Sequence, residues 1–285
     1  MTTACTNLPP TAAAREPPAD QYFTAAGARL HYRDEGRGPA VIMIHGWTLD
    51  LKMWEPQVRA LRDAYRVVRL DRRGFGLSSG RPSVQQDVAD IAALCAYLDI
   101  QRASIVGMSQ GVRAALGIAL VKPELISCLV LDGPPRYRSS PSAAEDGVPL
   151  DHYRALIQAQ GMGAFRREWR SNPLVSLRTG DPCMREILSS MIEHYPGIDL
   201  MQPSVDDGVA GRPAALDSID APVLVITGDH ELASRTQAAN ALAGLLPGAE
   251  RAVIRDSGHL PNLDNSKDYN ATVRAFLARY ATSLR

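Results

Sequence analysis

The chain has 285 residues, 45% hydrophobic and 22% charged, the proportions of a soluble globular protein long enough for one α/β domain or a domain carrying an insertion. Lys plus Arg and Asp plus Glu both number 31, so the formal charge is zero, and the basic excess that a nucleic-acid or anionic-membrane partner needs is missing. No apolar run approaches the ~20 residues of a membrane-spanning helix, while a near-zero charge removes one barrier to forming a homo-oligomer.

Residues 1–20 are rich in Ala, Thr and Pro and lack the basic start and apolar stretch of a secretion signal, so a disordered tail is expected. Tyr22-Phe23-Thr24 and Leu30-His31-Tyr32-Arg33 flank Ala26-Gly27 and suggest a β-hairpin. Ala40 to Ile44 is a continuous apolar run, as in a strand buried on both faces of a parallel sheet. A helix around Trp54 to Leu61, a strand from Tyr65 to Leu70 and a helix opened by Ser83 and running through Leu98 follow. Strands at Ile105 to Met108, Cys128 to Leu131, Val223 to Thr227 and Arg251 to Ile254 alternate with helices at Val112 to Leu120, Arg235 to Leu246 and Asp268 to Tyr280. The expected fold is therefore α/β, a mostly parallel sheet of about eight strands covered by helices. After the sixth strand the alternation stops. Residues 134–216 carry a polar loop at Ser139 to Gly147 and helical patches at Tyr153 to Gln160 and Met184 to Glu193, and read as a helical cap inserted between core segments 21–133 and 217–285. Such an insertion sits over the carboxyl ends of the strands, where open α/β sheets bind ligands.

Gly107-Met108-Ser109-Gln110-Gly111 joins a strand to a helix. A serine on so tight a turn is held clear of the sheet edge, and side chains at Gly107 and Gly111 would collide where strand and helix pass. Its hydroxyl is a feeble nucleophile unless a base takes its proton and a third group orients that base. His259, in Gly258-His259 after the last strand, is the candidate base because it closes the chain order serine, acid, histidine. Gly228-Asp229-His230-Glu231 offers two carboxylates; Glu231, three places past the glycine, is the first choice for the acid, with Asp229 and Asp132 as alternatives. The backbone N–H groups of Trp47 and Gln110 are expected to hold the oxyanion, and His45 to brace the loop by hydrogen bonding. The Trp47 side chain is either part of an acyl pocket or purely structural. Cys5, Cys95, Cys128 and Cys183 are scattered, with no metal-type spacing among them or with the six histidines, so idle thiols in a reducing cytoplasm and no metal are expected.

His45-Gly46-Trp47, Asp71-Arg72-Arg73-Gly74-Phe75-Gly76-Leu77-Ser78, the Ser109 pentapeptide, Gly228-Asp229-His230-Glu231 and Gly258-His259, in this order, resemble the α/β-hydrolase fold superfamily. In that superfamily the acid at the position of Glu231 is most often Asp, so Glu231 departs slightly from the pattern. Arg72 and Arg73 are expected to be structural ion-pair residues. Serine at position 109 disfavours the branches that attack through a carboxylate.

The resemblance implies a serine hydrolase, needing no cofactor, that acts on a small apolar ester or lactone. The same residues serve, within the superfamily, carbon–carbon bond hydrolysis, amide hydrolysis or cofactor-free dioxygenation by the His-acid pair, and Asp132 as the partner of His259 would point to the last. A ligand receptor with little turnover is the third reading. Tyr137, Tyr153, Phe165, Trp169, Met184 and Met191 are candidates for an apolar substrate lining in the cap, with packing of cap helices onto the core as the plainer role for each.

Overall fold

The computed structural model describes residues 20–135, 148–202 and 213–281, with side chains omitted for 213–215. The expected tail, the Ser139 to Gly147 loop, Cys5 and Tyr137 lie outside the described residues, Asp20 excepted.

Eight strands form one sheet: β1 (Gln21–Ala25), β2 (Ala28–Glu35), β3 (Ala40–Ile44), β4 (Arg66–Leu70), β5 (Ala103–Met108), β6 (Ile126–Asp132), β7 (Val223–Gly228) and β8 (Glu250–Ile254). Their spatial order is β1-β2-β4-β3-β5-β6-β7-β8. The β1–β2 and β2–β4 pairs are antiparallel and the rest parallel, with Ala26 and Gly27 at φ 44° and 75° closing the hairpin as a two-residue turn whose twist suits the strands. The helices are α1 (Glu55–Leu61), α2 (Val84–Tyr97), α3 (Gln110–Val121), α4 (Leu150–Gln160), α5 (Met162–Trp169), α6 (Pro182–His194), α7 (Ile198–Met201), α8 (Ala233–Leu245), α9 (Pro261–Asp264) and α10 (Ser266–Tyr280).

Strand side chains alternate between two cores. Val41, Met43, Val67, Val106, Val130 and Leu224 face α1 and α10, whereas Ile42, Ile44, Val68, Ile105, Leu129 and Val225 face α2, α3 and α8. Strand order reverses between β3 and β5, so the loops leaving these strands diverge and open a crevice at their carboxyl ends. The described residues between β6 and β7 hold α4 to α7, a helical cap whose core is continuous with the α1 and α10 side of the sheet. Tyr153, Phe165, Trp169 and Met191 lie in that core, at 2% exposure or less, and pack cap to sheet. Helix α5 lies outside the two helical patches singled out from the sequence; Ala164, Phe165 and Trp169 bury one face of it against the cap core. Packing outweighs propensity there. Among the described residues no helix is long and apolar enough to cross a membrane.

One carboxylate gathers the segments beside the crevice. Oδ2 of Asp71, just past β4, accepts from His31 Nδ1 at 2.7 Å and the Leu77 amide at 2.8 Å, while Oδ1 accepts from the Leu51 amide at 2.8 Å. Burial alone would lower the His31 pKa, but the hydrogen bond and charge of Asp71, joined by Asp20, raise it above the ordinary histidine value of about 6.5. A raised folded value means that the pair stabilises fully below about pH 6.5 and progressively less as pH rises through that folded value. The stability difference between wild type and His31→Asn, followed by urea unfolding, is therefore expected to be larger at pH 6 than at pH 9. A difference that does not change between these pH values would show that the pair carries no such linkage.

Candidate active site

Ser109 sits at φ 50°, ψ −116°, between the buried strand β5 and the first residue of α3. Non-glycine residues avoid this region at a cost on the order of 1–3 kcal/mol, so the surroundings must impose it. The Ser109 amide donates to the Asp132 carbonyl at 2.8 Å, and the Ser109 carbonyl accepts from Val112 at 2.9 Å. Helix α3 passes so close that a Cβ on Gly111 would lie 2.5 Å from the Ile44 carbonyl oxygen, and one on Gly107 would lie 2.7 Å from that of Gly111. The expected steric need for both glycines is met in the fold.

His259, 4% exposed, follows β8 in a loop held by the Ser257 amide on Asp229 Oδ1 (3.0 Å) and the Gly258 amide on Asp264 Oδ2 (2.9 Å). Nδ1 of His259 lies 2.6 Å from Glu231 Oε2, and Nε2 lies 3.1 Å from Ser109 Oγ. Because a carboxylate only accepts, the proton belongs on Nδ1, which leaves Nε2 open to accept from the serine hydroxyl. The other carboxylate oxygen of Glu231 accepts from the Leu232 amide at 2.8 Å. Burial would raise the Glu231 pKa, but the charge and hydrogen bond of His259, with the Leu232 amide and the Arg235 charge, hold it below the ordinary glutamate value.

The two alternative acids stand elsewhere. Asp229 is exposed and ties the turn after β7 to the His259 loop. Asp132 is fully buried at the end of β6, where burial first and the Glu231 charge second push its carboxyl well above the ordinary range, against a smaller opposing effect of the Tyr269 hydroxyl. That direction is that of a neutral acid rather than a charge partner for an imidazole. Asp229, His230 and Asp256 also bring ligand atoms within 4.8 Å of one another, but all three are exposed, and acidic groups commonly meet so at a surface.

The loop leaving β3 packs directly on the serine turn, since a Cβ on Gly46 would lie 2.7 Å from the Met108 sulfur and 3.4 Å from Ser109 Cβ. This seats the Gly46 loop, which continues into Trp47, on the serine turn. As the first residue of α3, Gln110 has an N–H with no carbonyl four residues earlier in the helix. His45 is fully buried. Its Nε2 accepts from the Arg72 amide at 2.9 Å, so Nδ1 carries the proton and donates to the Gly46 carbonyl at 2.7 Å. Burial and then the Arg72 charge lower its pKa to about 3, so it is a neutral brace.

Sequence reasoning gave Arg72 and Arg73 a structural part, and both are buried in ion pairs with one face of α2. Arg73 reaches Asp90 at 2.7 Å, and Arg72 Nε lies 3.2 Å from Asp87. Arg72 does more than pair. Its guanidinium also donates to the His45 carbonyl at 3.4 Å and to the Gln110 side-chain oxygen, and so touches the segments on both sides of the serine. Its reach across the crevice has no signature in the sequence.

A solved enol-lactonase from Burkholderia xenovorans LB400 superposes with a TM-score of 0.77 at 26% identity, covering 90% of this chain and 100% of that one. The solved structure of Est816, an N-acyl homoserine lactone degrading enzyme, gives a TM-score of 0.73 at 25% identity over 90% of this chain and 100% of its own. The pimeloyl-[acyl-carrier protein] methyl ester esterase of Vibrio campbellii is 26% identical over 87% of this chain and 98% of its own length. A model of the Alpha/beta hydrolase family matches residues 41–272, from β3 through α10, and the chain belongs to that family.

Proposed function

We propose that the protein is a serine hydrolase that cleaves a carboxylic ester or lactone through an acyl-enzyme on Ser109. The observation that carries this reading is the unbroken relay from Glu231 through His259 to Ser109, with contacts of 2.6 and 3.1 Å, on a backbone turn strained at the serine. In it, Ser109 Oγ attacks the carbonyl carbon while His259 Nε2 takes the hydroxyl proton. The carbonyl electron pair moves onto oxygen, where the Trp47 and Gln110 N–H groups and the positive end of α3 stabilise it. Collapse expels the alcohol with the proton that His259 held, and water resolves the acyl-enzyme by the same route reversed. Glu231 fixes the Nδ1–H tautomer and offsets the imidazolium charge. Glu231, not Asp132, lies against Nδ1, which favours hydrolysis over dioxygenation.

The chemistry assigned to these side chains calls for no cofactor. Relatives named as an esterase and a lactonase support the choice of ester and lactone. In this reading residues 134–216 form the cap that bounds the substrate, between core segments 21–133 and 217–285. The thiols Cys95 and Cys128, both buried, suit a reducing cytoplasm.

Ser109→Ala is expected to lower kcat for p-nitrophenyl esters on the order of 10⁴-fold or more and to abolish labelling by a fluorophosphonate. Turnover that survives this substitution assigns the nucleophile elsewhere. Glu231→Gln is expected to cost on the order of 10³–10⁴-fold in kcat, whereas Asp229→Asn and Asp132→Asn leave it little changed. Equal losses at Asp132 and Glu231 would instead make the two carboxylates joint partners of His259. Because the Glu231 pKa is depressed, its contribution to stability is complete above the unfolded-chain value of about 4.5 and is lost as pH falls through the lower folded value. The unfolding free energy of wild type minus that of Glu231→Gln should accordingly stay level at pH 5–7 and shrink below that range; a difference that already falls across pH 5–7 contradicts it.

A further inference from the structure

The loop that carries the Trp47 amide is fastened to the cap at two consecutive residues. The Trp47 indole N–H donates to Asp199 Oδ2, on the short cap helix α7, at 2.5 Å. In the opposite direction, the indole N–H of Trp169, on cap helix α5, donates to Thr48 Oγ1 at 2.8 Å. Asp199 is itself held from the cap side by the Tyr195 hydroxyl, which donates to its other oxygen. The Trp47 ring is set among cap aromatics, its centroid 4.8 Å from that of Trp169 and 5.9 Å from that of Tyr195.

These ties fall where the backbone needs them. Thr48 is β-branched and sits at φ 62°, a left-handed conformation that its side chain disfavours and that persists only when the surroundings over-determine it. On the amino-terminal side the loop is held by the core, through His45 and Arg72. On the carboxyl-terminal side, at residues 47 and 48, the side-chain hydrogen bonds run to the cap. Trp47 therefore stands between a core clamp and a cap clamp, one residue after Gly46, which packs on the serine turn.

We infer that Asp199 and Trp169 are positioning residues of the reaction: from the cap they fix the Trp47 amide at the oxyanion, so that the donor set is complete only when the cap is seated. The inference rests on the hydrolytic reading of Ser109. Neither residue touches the reacting atoms. Their effect is transmitted through the loop, and an interaction made with the oxyanion alone lowers kcat on loss while leaving substrate binding nearly untouched.

Asp199→Leu and Thr48→Val remove the acceptors of the two ties separately with near-isosteric changes, each nearly keeping the volume of the cap contact. Kinetics on a short-chain p-nitrophenyl ester give kcat and KM. Inhibition by an aryl trifluoromethyl ketone reads the oxyanion directly, because Ser109 Oγ bonds the ketone carbon, the carbonyl pair becomes an oxyanion and the hydroxyl proton passes to His259. Each variant is expected to lose about 10- to 100-fold in kcat and a matching factor in ketone affinity, with KM little changed. Wild-type kcat and ketone affinity in folded variants would overturn the inference, as would a loss confined to KM. Should Asp199→Leu fail to fold, Thr48→Val decides alone. If the wild-type protein forms no ketone adduct and Ser109→Ala keeps full activity, it is the hydrolytic reading that has failed; an adduct in wild type with unaffected variants removes only the role of the cap.

Discussion

The site depends on a backbone conformation that the chain would not adopt by itself. Ser109 is held at positive φ because β5 must give way to α3 within one residue, and the Asp132 carbonyl takes the serine amide as it turns. That geometry exists only if α3 can approach the end of β3, which the missing side chain of Gly111 permits. The sheet interior, apolar on both faces, supplies the rigidity against which the strain is held. The contacts of Ser109 with His259, and of the Gly46 loop with the serine turn, follow from where this turn places the hydroxyl.

Environment then separates groups of the same type. Glu231 and Asp132 are both carboxyls near His259, yet one is held ionised by the imidazole, a backbone amide and an arginine, and the other is pushed toward neutrality by full burial beside the first charge. Two adjacent carboxyls with diverging proton affinities leave a single acceptor for the Nδ1 proton. The histidines diverge as well. His45 is locked as a neutral brace with both ring nitrogens occupied by backbone, whereas the ring nitrogens of His259 face a carboxylate and a hydroxyl. Proton transfer needs the second arrangement and would be blocked in the first.

Much of this was legible in the sequence because it is encoded locally. Strand runs such as Ala40 to Ile44 and the glycines around Ser109 report steric needs within a few residues, and the chain order of Ser109, Glu231 and His259 follows from strand-end loops. The choice among Glu231, Asp229 and Asp132 was open in the sequence, since it turns on side-chain directions from three different loops. In the structure the three part: Asp229 is exposed and accepts from the Ser257 amide, Asp132 is fully buried, and Glu231 lies against His259 Nδ1. Helix α5 was hidden because its stability comes from packing of Phe165 and Trp169 rather than from its glycine-flanked start. Contacts such as Trp47 with Asp199, 152 residues apart, and Arg72 with Gln110 leave no local trace at all. The sequence also leaves open whether the Trp47 side chain is pocket or structure; in the fold its ring packs among cap aromatics and its indole N–H donates to Asp199.

In the proposed reaction one hydroxyl, at position 109, carries the acyl group between substrate and water. Rapid acid quenching of wild-type protein mixed with excess p-nitrophenyl ester, followed by peptide mass mapping, observes that intermediate itself. A mass increase equal to the acyl group is expected on the peptide bearing Ser109, formed at least as fast as steady-state turnover. Turnover with no acylated Ser109, or with the acyl group on another residue, would contradict it.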